Sequence, residues 1–330
     1  MSAPGSPAWR EAFMAAASAA QAPAAIEAMA RKVRGASAGP DDRLRLAAAF
    51  AHCAFAAPER IAATWDAAAR GWFDTPDEGP EIALLPYPDA VPPATLWPDF
   101  WALVDAAVDP VGGGIGALGV TERTAQLGAQ LPADFAARAG AACLAYPGVP
   151  AAAATGFPDR FTMAALAACP AGSLGHDFYR QIVDNNFDLE VLDRDALGLA
   201  GLPPPLGYLN ARILQLHDLL HLTGGYELTS MHEIAISGFQ MGQFGHGYSS
   251  MFLAFVMATA AGSQTPGGLE LMLDVVLRGW RHGRRTPQLL DALWEKLWNL
   301  PIAEVRAQLG VAPYDAPYPA NLLEAVAQAA

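Results

Sequence analysis

The sequence predicts an all-α protein, and three observations support this. Alanine is abundant, and it is the best helix former because its side chain loses no rotamer freedom. Long runs of Val, Ile and Thr with period-two alternation, which mark strands, are hard to find. The chain has 330 residues, 53% of them hydrophobic, so it can bury a sizeable core. We therefore expect a multi-helix fold.

The first third of the chain predicts helices followed by a connector. Residues from about 9 to 70 predict three or four amphipathic helices, with Asp41 and Asp42 as caps for one of them. Seven prolines then fall between residues 75 and 98, too many for any regular element because proline lacks the N–H that helices and strands use. We predict an N-terminal helical segment with a Pro-rich connector over residues 1–98.

The remainder, residues 99–330, is predicted to form a second helical domain. A helix is expected from Asp99 to Val108. Further helices are predicted near residues 121–146, 158–169, 173–186, 207–223, 230–245, 248–262, 267–282, 287–298 and 301–309.

Three glycines between these helices match a known cofactor pattern. Gly114, Gly116 and Gly119 satisfy G-x-G-x-x-G, the dinucleotide-binding motif. That motif works only after a strand and before a helix, where a pyrophosphate can lie on the helix N-terminus. Here the preceding residues predict a helix that ends at Pro110. We therefore predict a flexible loop and no dinucleotide cofactor.

Charge and cysteine usage narrow the class of protein. Lys plus Arg number 20 against 33 Asp plus Glu, which disfavours a nucleic-acid partner and disfavours binding to anionic lipid by charge alone. The three cysteines, Cys53, Cys143 and Cys169, are far apart and odd in number, as expected of buried thiols in a reducing compartment. No secretion signal is recognisable, and the longest apolar run, 251–261, is far short of the ~20 residues that span a bilayer. We expect a cytoplasmic protein.

Two of the seven histidines lie four residues apart, with an acid beside the first: His217, Asp218 and His221. Residues i and i+4 of a helix project from one face about a turn apart, close enough to bind one ion. Asp218 is turned about 100° around the axis and reaches the same ion from the edge of that face. Imidazoles with carboxylates suit zinc and other first-row divalent metals. The alternatives are core histidines satisfied by hydrogen bonds, and an Asp218 that only orients an imidazole.

A fourth candidate ligand, Glu233, follows on the next predicted helix. Gly224 and Gly225 predict the end of the first helix, and Ser230 is a suitable N-cap for the second. The two helices would form a tight hairpin that brings Glu233 to the histidine pair. Ser230 and Glu233 also fit a capping box, in which the glutamate reaches back to the N-terminus of its own helix. The local sequence leaves these two roles open.

With these residues in place, the chain resembles the ubiquinone-biosynthesis family known as coenzyme Q biosynthesis protein four. That family carries His-Asp-x-x-His, eleven residues and then Glu, and the segment from His217 to Glu233 matches it without a gap. Residues 170–179 and 283–306 are similar to other parts of the family, and the resemblance spans roughly 170–311. The residue before the glutamate is commonly Gly in the family and is His232 here. We expect a tolerated surface change there, with an added ligand or proton carrier as the alternative.

The resemblance implies an all-α fold and a zinc-type or other divalent ion held by His217, Asp218, His221 and Glu233. It implies a carbon–carbon lyase that removes the ring carboxylate at C1 of a polyprenylated hydroxybenzoate-type precursor, with oxidation at that carbon. It further implies work at a membrane surface, on the inner face of the cytoplasmic membrane, together with other enzymes of ubiquinone biosynthesis. Homo-oligomerisation stays open.

The helix after the metal motif offers a candidate site for the isoprenoid tail. Gly238 and Gly242 lie four residues apart, so one face of the helix lacks side chains. A prenyl tail could lie along this face, near Ile234, Phe239 and Met241. The alternative is a neighbouring helix packed closely against the two glycines.

Two other functions fit the same motif. A zinc hydrolase would carry His-Glu-x-x-His, with the glutamate as general base, and Asp218 is one methylene shorter. A non-catalytic scaffold would bind isoprenoid lipid and partner enzymes and use the metal only as a structural brace. A closed four-ligand site is typical of the structural role, and an accessible coordination position is typical of catalysis.

Overall fold

The computed structural model describes residues 3–75, 79–108, 115–190 and 193–329, and every regular element within these ranges is helical. Short 3-10 turns occur at Pro58–Arg60, Leu199–Gly201 and Trp294–Lys296. The α-helices are α1 Pro7–Ala17, α2 Pro23–Arg34, α3 Pro40–Phe55, α4 Ile61–Phe73, α5 Leu96–Val108, α6 Ala117–Gly128, α7 Phe135–Leu144, α8 Val149–Ala153, α9 Met163–Ala167, α10 Leu174–Asp184, α11 Leu206–Gly224, α12 Ser230–Phe244, α13 Gly247–Gly262, α14 Gly268–Arg285, α15 Ile302–Leu309 and α16 Leu322–Ala329. The all-α prediction is confirmed.

The N-terminal prediction is also close to the structure. Four helices, α1 to α4, occupy the region predicted to hold three or four, and residues 79–93 of the connector carry no regular element. The predicted helix 121–146 is instead two helices, α6 and α7, separated by residues 129–134. Pro132 lies in that gap, where a continuous helix would need its missing N–H.

The predicted helix over residues 287–298 is wrong, because tertiary hydrogen bonds take its backbone groups. The Arg212 guanidinium donates to the carbonyls of Leu290 and Ala292 at 3.0 Å each. The N–H of Leu289 donates to the side-chain oxygen of Gln243. These tertiary hydrogen bonds hold the segment in another conformation, and within it only a 3-10 turn forms, at Trp294–Lys296.

The three predicted loop glycines have different environments. Gly114 lies outside the described residues. Gly116 is the N-cap of α6, and Gly119 lies inside that helix, so the loop prediction is wrong for Gly119. The described element that precedes them is α5, which agrees with the predicted helix and not with the strand that the dinucleotide motif needs.

The N-terminal helices and the later helices share aromatic contacts. Phe50 of α3 stacks on Trp65 of α4 with ring centroids 3.9 Å apart, and Trp65 lies 6.3 Å from Trp280 of α14. Helix α13 also packs along α3 on one side and against α12 and α14 on another. Its apolar residues occupy all faces, as expected of a helix at the centre of a core. The domain boundary after residue 98 stays a prediction.

Helices α12 and α14 approach each other through glycine on both sides. Gly238 and Gly242 of α12 face Gly279 and Gly283 of α14. A Cβ atom at Gly238 would lie 2.5 Å from the carbonyl oxygen of Val276, and the atoms facing Gly279 and Gly283 are closer still. Small residues at such positions allow two helix backbones to come into contact.

This contact closes the groove predicted for a prenyl tail. The space over Gly238 and Gly242 is filled by the α14 backbone, so the two glycines pack a neighbouring helix and do not line a substrate groove on this face. Phe239 and Met241 are fully buried beside them. A tail would have to lie elsewhere.

Among the described residues, no helix is both long enough and apolar enough to cross a membrane. The longest helices carry polar groups at the site or along their exposed faces.

We expect Gly279→Ala to destabilise the protein although alanine favours helix by about 1 kcal/mol over glycine. The added methyl group collides with the Ala235 backbone and forces the helices apart, and overpacking of this kind costs about 1–3 kcal/mol. Chemical denaturation gives the free energy of unfolding. Gly268→Ala is the matched control on α14, because its Cβ would meet nothing closer than 3.7 Å. Equal stability of the two variants would contradict the tight contact.

Candidate metal centre

Helix α11 places the three residues of the histidine motif in its last two turns. It ends at Gly225, whose φ of 75° lies in the left-handed region and whose N–H bonds back to the carbonyl of His221. The predicted helix end is therefore confirmed. His221 and Asp218 are buried, and the His217 side chain is 28% exposed.

At the start of α12 the structure excludes the capping role of Glu233. The N-cap is Thr229, not Ser230, and no side chain of this helix caps it. Instead, Glu324 of α16 accepts a hydrogen bond from the N–H of Ser230 at 2.8 Å, and Thr229 donates its hydroxyl to the carbonyl of Ala320. The capping box predicted as an alternative is not formed, and the Glu233 carboxylate points to α11 instead.

The carboxylate of Glu233 bridges the two imidazoles. Its Oε2 lies 3.2 Å from His217 Nε2, its Oε1 lies 3.2 Å from His221 Nε2, and the two Nε2 atoms are 3.4 Å apart. A carboxylate oxygen of Asp218 lies within 4.8 Å of both imidazoles. The structure thus groups His217, Asp218 and His221 and places Glu233 against the two histidines.

These distances fit a divalent ion. Donor atoms about 2.0–2.1 Å from a tetrahedral zinc ion are separated by about 3.3 Å from one another. The three donor separations around Glu233 and the two histidines fall at 3.2 to 3.4 Å. Two imidazoles and a carboxylate are also the donor types that zinc and neighbouring metals prefer. Without an ion, the two contacts of Glu233 are hydrogen bonds from the imidazoles to its carboxylate.

Both imidazoles are held by their other nitrogen. His221 Nδ1 lies 3.3 Å from the carbonyl oxygen of Tyr226, to which it can donate, and His217 Nδ1 lies 2.8 Å from the Gln240 side-chain amide. Partners at Nδ1 fix ring orientation and leave Nε2 directed at the centre, as in metal sites generally.

The pKa values show how the centre is charged. Burial opposes charge on Glu233, but the hydrogen bonds from His217 and His221 hold the pKa of its carboxyl well below the ordinary value. Burial also opposes charge on His217, yet the hydrogen bond to Glu233 raises the pKa of that imidazole. Burial raises the pKa of Asp218. A cation bound beside the two imidazoles would stabilise the ionised form of this buried carboxyl group.

One side of the centre is accessible. The Glu233 side chain is 44% exposed and His217 is 28% exposed, whereas His221 is 1% exposed and closes the inner side. A small molecule could therefore reach the Glu233 side of the group.

His232 is buried, so the expectation of a surface change is wrong. Its Nδ1 accepts a hydrogen bond from the N–H of Glu227 at 2.7 Å, and its ring lies edge-on to Tyr226 and Tyr314. Burial lowers the pKa of His232 and favours its neutral form. In this arrangement it holds the loop that precedes α12.

Sequence reasoning missed Gln240, which contacts His217 directly. A signal was available: Gln240 follows Glu233 by seven residues, which places both on the same face of α12. The carbonyl of Tyr226 carries no comparable signal, because any residue type supplies one.

Comparison with known proteins matches the region that holds the centre. Residues 158–315 match the family model described as Coenzyme Q (ubiquinone) biosynthesis protein Coq4. A protein of Mus musculus named as a mitochondrial ubiquinone biosynthesis protein COQ4 homolog is 24% identical over 150 residues, 45% of this chain and 53% of the relative. A Culex quinquefasciatus homolog with a similar name is 26% identical over 155 residues, 45% and 51% of the two chains. The chain thus spans about half the length of the curated relatives it matches.

A solved structure is also similar in part. A crystal structure from Nostoc punctiforme, described as that of a ubiquinone biosynthesis protein, is 23% identical, with a TM-score of 0.48 over 65% of this chain and 96% of that one.

We expect the purified protein to carry about one divalent ion per chain, and the double variant His217→Ala/His221→Ala to lose it, because both imidazoles face one point. Elemental analysis measures the metal content. His176→Ala is the matched control, since His176 and Asp177 form a second His-Asp pair on α10 without a second histidine one turn on. Equal metal in the double variant and the wild type would refute the site.

Glu233→Gln should lower metal affinity at least about tenfold, because a neutral amide is a much poorer donor to a divalent ion than a carboxylate. The helical content should not change, since Glu233 does not cap α12. Competition with a chromophoric chelator measures affinity, and circular dichroism measures helicity. Glu227→Gln, in the exposed loop nearby, should bind metal like the wild type. Wild-type affinity in Glu233→Gln would leave the two histidines and Asp218 as the site.

Proposed function

We propose that this chain, whose residues 158–315 match the family model described as Coenzyme Q (ubiquinone) biosynthesis protein Coq4, acts in ubiquinone biosynthesis. More specifically, it would remove the ring carboxylate at C1 of a polyprenylated hydroxybenzoate-type precursor with the help of a divalent ion, zinc or a similar metal. The C1–carboxylate bond breaks, carbon dioxide leaves, and a proton from solvent takes its place on C1. In the oxidative form of the reaction a hydroxyl group takes its place instead, and an external two-electron oxidant such as dioxygen supplies the oxygen atom and accepts the electrons.

One observation carries the proposal: Glu233 bridges His217 and His221 at an accessible surface. The exposed side of Glu233 leaves a position for substrate, and an accessible position is typical of a catalytic metal rather than a structural one. A bound ion would take up a substrate carboxylate or phenolic oxygen and stabilise negative charge that develops on the ring.

The surrounding residues have separable tasks in this proposal. His221, fully buried and tied to the carbonyl of Tyr226, fixes the inner side of the centre. His217 and Glu233 form the accessible side, and the two imidazoles keep the Glu233 carboxylate ionised and ready to bind a cation. Asp218, buried at the edge, adds a further negative charge when a cation is present.

The same geometry disfavours a zinc hydrolase. Such an enzyme needs an accessible general base beside the metal-bound water. Asp218 occupies the corresponding position in the motif, but it is buried, and burial raises its pKa. The exposed acid is Glu233, whose two oxygens contact the two imidazoles and are therefore not free to act as the general base.

Quinone profiling of a strain that lacks the gene tests the function. We expect carboxylated polyprenyl-phenol to accumulate and ubiquinone to fall, and the wild-type gene to reverse both changes. Glu233→Gln and the double variant His217→Ala/His221→Ala should fail to restore ubiquinone, whereas His176→Ala should restore it.

Two results would contradict the decarboxylase proposal. Accumulation of a precursor that already lacks the carboxylate would place the block later in the pathway. Full complementation by a variant shown to be free of metal would favour the scaffold role, in which the chain binds lipid and other pathway enzymes without catalysing the reaction.

A further inference from the structure

A row of buried hydrogen bonds runs inward from His217. The Gln240 amide nitrogen lies 2.8 Å from His217 Nδ1, the Ser249 hydroxyl donates to Gln240 Oε1 at 3.1 Å, and His246 Nδ1 lies 2.9 Å from the Ser249 oxygen. Gln240, Ser249 and His246 are all buried. None of the three is a candidate metal ligand. Because buried polar groups need hydrogen-bond partners, these side chains satisfy one another and His217.

The hydrogen bonds in this row run in one direction. Because Gln240 Oε1 accepts from Ser249, its amide N–H₂ faces His217 and has to donate. His217 Nδ1 is therefore an acceptor and carries no proton. A neutral His217 then has its proton on Nε2, where it faces Glu233 Oε2 at 3.2 Å.

A cation bound at Nε2 requires the opposite tautomer. Nε2 must then present its lone pair, so the proton of the neutral ring lies on Nδ1 and needs an acceptor. The ring releases its Nε2 proton to solvent and takes one from solvent at Nδ1, so its net charge does not change. The amide N–H₂ of Gln240 cannot accept this hydrogen bond, but its Oε1 can after half a turn about the terminal side-chain bond.

The row can follow this change. After the turn, the Gln240 amide nitrogen faces Ser249, whose hydroxyl oxygen can accept as well as donate. Glutamine therefore satisfies His217 in both states, with donor and acceptor at opposite ends of one group. Glutamate would satisfy the metal-bound tautomer only, and leucine would satisfy neither.

We infer that Gln240 is a positioning residue for the metal ligand His217, and that its amide turns over when metal binds. This inference rests on the proposed function, since it takes His217 as a ligand. In the loaded protein, Gln240 Oε1 accepts from Nδ1–H and holds the ring with Nε2 toward the ion. Ser249 orients the Gln240 amide through a hydrogen bond at the end that faces away from His217.

Zinc affinity of the purified full-length chain, measured by competition with a chromophoric chelator, tests the inference. Gln240→Leu should bind about 10–100-fold more weakly, the usual effect of removing a partner of a ligating histidine. Gln240→Glu should bind at least as tightly as the wild type, because a carboxylate accepts strongly from Nδ1–H. Ser249→Ala should bind about fivefold more weakly, the equivalent of one hydrogen bond. Ser250→Ala is the matched control, because that buried serine lies beside Cys53 and not in the row.

The histidine tautomer gives a readout that does not depend on affinity. In wild-type protein labelled with ¹⁵N-histidine, long-range ¹H–¹⁵N spectra should show His217 protonated at Nε2 without metal and at Nδ1 with zinc. Wild-type affinity in Gln240→Leu, or an unchanged tautomer on zinc binding, would overturn the inference. A wild-type chain without zinc affinity would instead overturn the proposed function.

Discussion

The contact between α12 and α14 sets the geometry of the whole centre. With Gly238 and Gly242 against the α14 backbone, α12 has little freedom to rotate about its axis. Residues two positions along a helix are turned by about 200°, so the face that carries Gln240 lies opposite the face that carries Gly238. Glu233 and Gln240 are thereby directed at α11, where both meet His217. The glycines act on the centre through the orientation of the helix.

Much of this arrangement could be predicted from local sequence. The helix that carries His217 and His221, its end at Gly225 and the following helix all depend on neighbouring residues, and all were predicted. No α-helix forms over 287–298, where Arg212, about 80 residues away, donates to the carbonyls of Leu290 and Ala292. The local sequence could not show whether Glu233 caps its own helix. In the structure Glu324 binds the N-terminus of α12 instead, and no short-range pattern indicates that contact. In both cases, the segment 287–298 and the role of Glu233, the local sequence does not show the long-range hydrogen bonds that are formed.

The centre combines an ionised exposed side with a neutral interior. The Glu233 carboxylate is ionised near the surface, where it lies 3.2 Å from His217 Nε2 and solvent has access. Behind them, burial lowers the pKa of His246 to about 3 and that of His282 to about 4, so both rings stay neutral hydrogen-bonding groups. Neutral partners can orient a ligand without competing with it for the cation. The positive charge of an ion would thus be balanced by carboxylates and not opposed by its surroundings.

The cap of α12 links the centre to a segment beyond the region that the family model matches. Glu324 and Ala320 satisfy the first residues of α12, and both lie outside residues 158–315. Ser230 and Glu233 nevertheless match the capping-box pattern, in which a helix is capped by its own side chains. In a homologue without the C-terminal helix, Glu233 could cap α12 through this motif, and that role would compete with its contacts to the histidines. If the centre binds a metal, selection for that metal also acts on the C-terminal acid, and positions 230, 233 and 324 should evolve together.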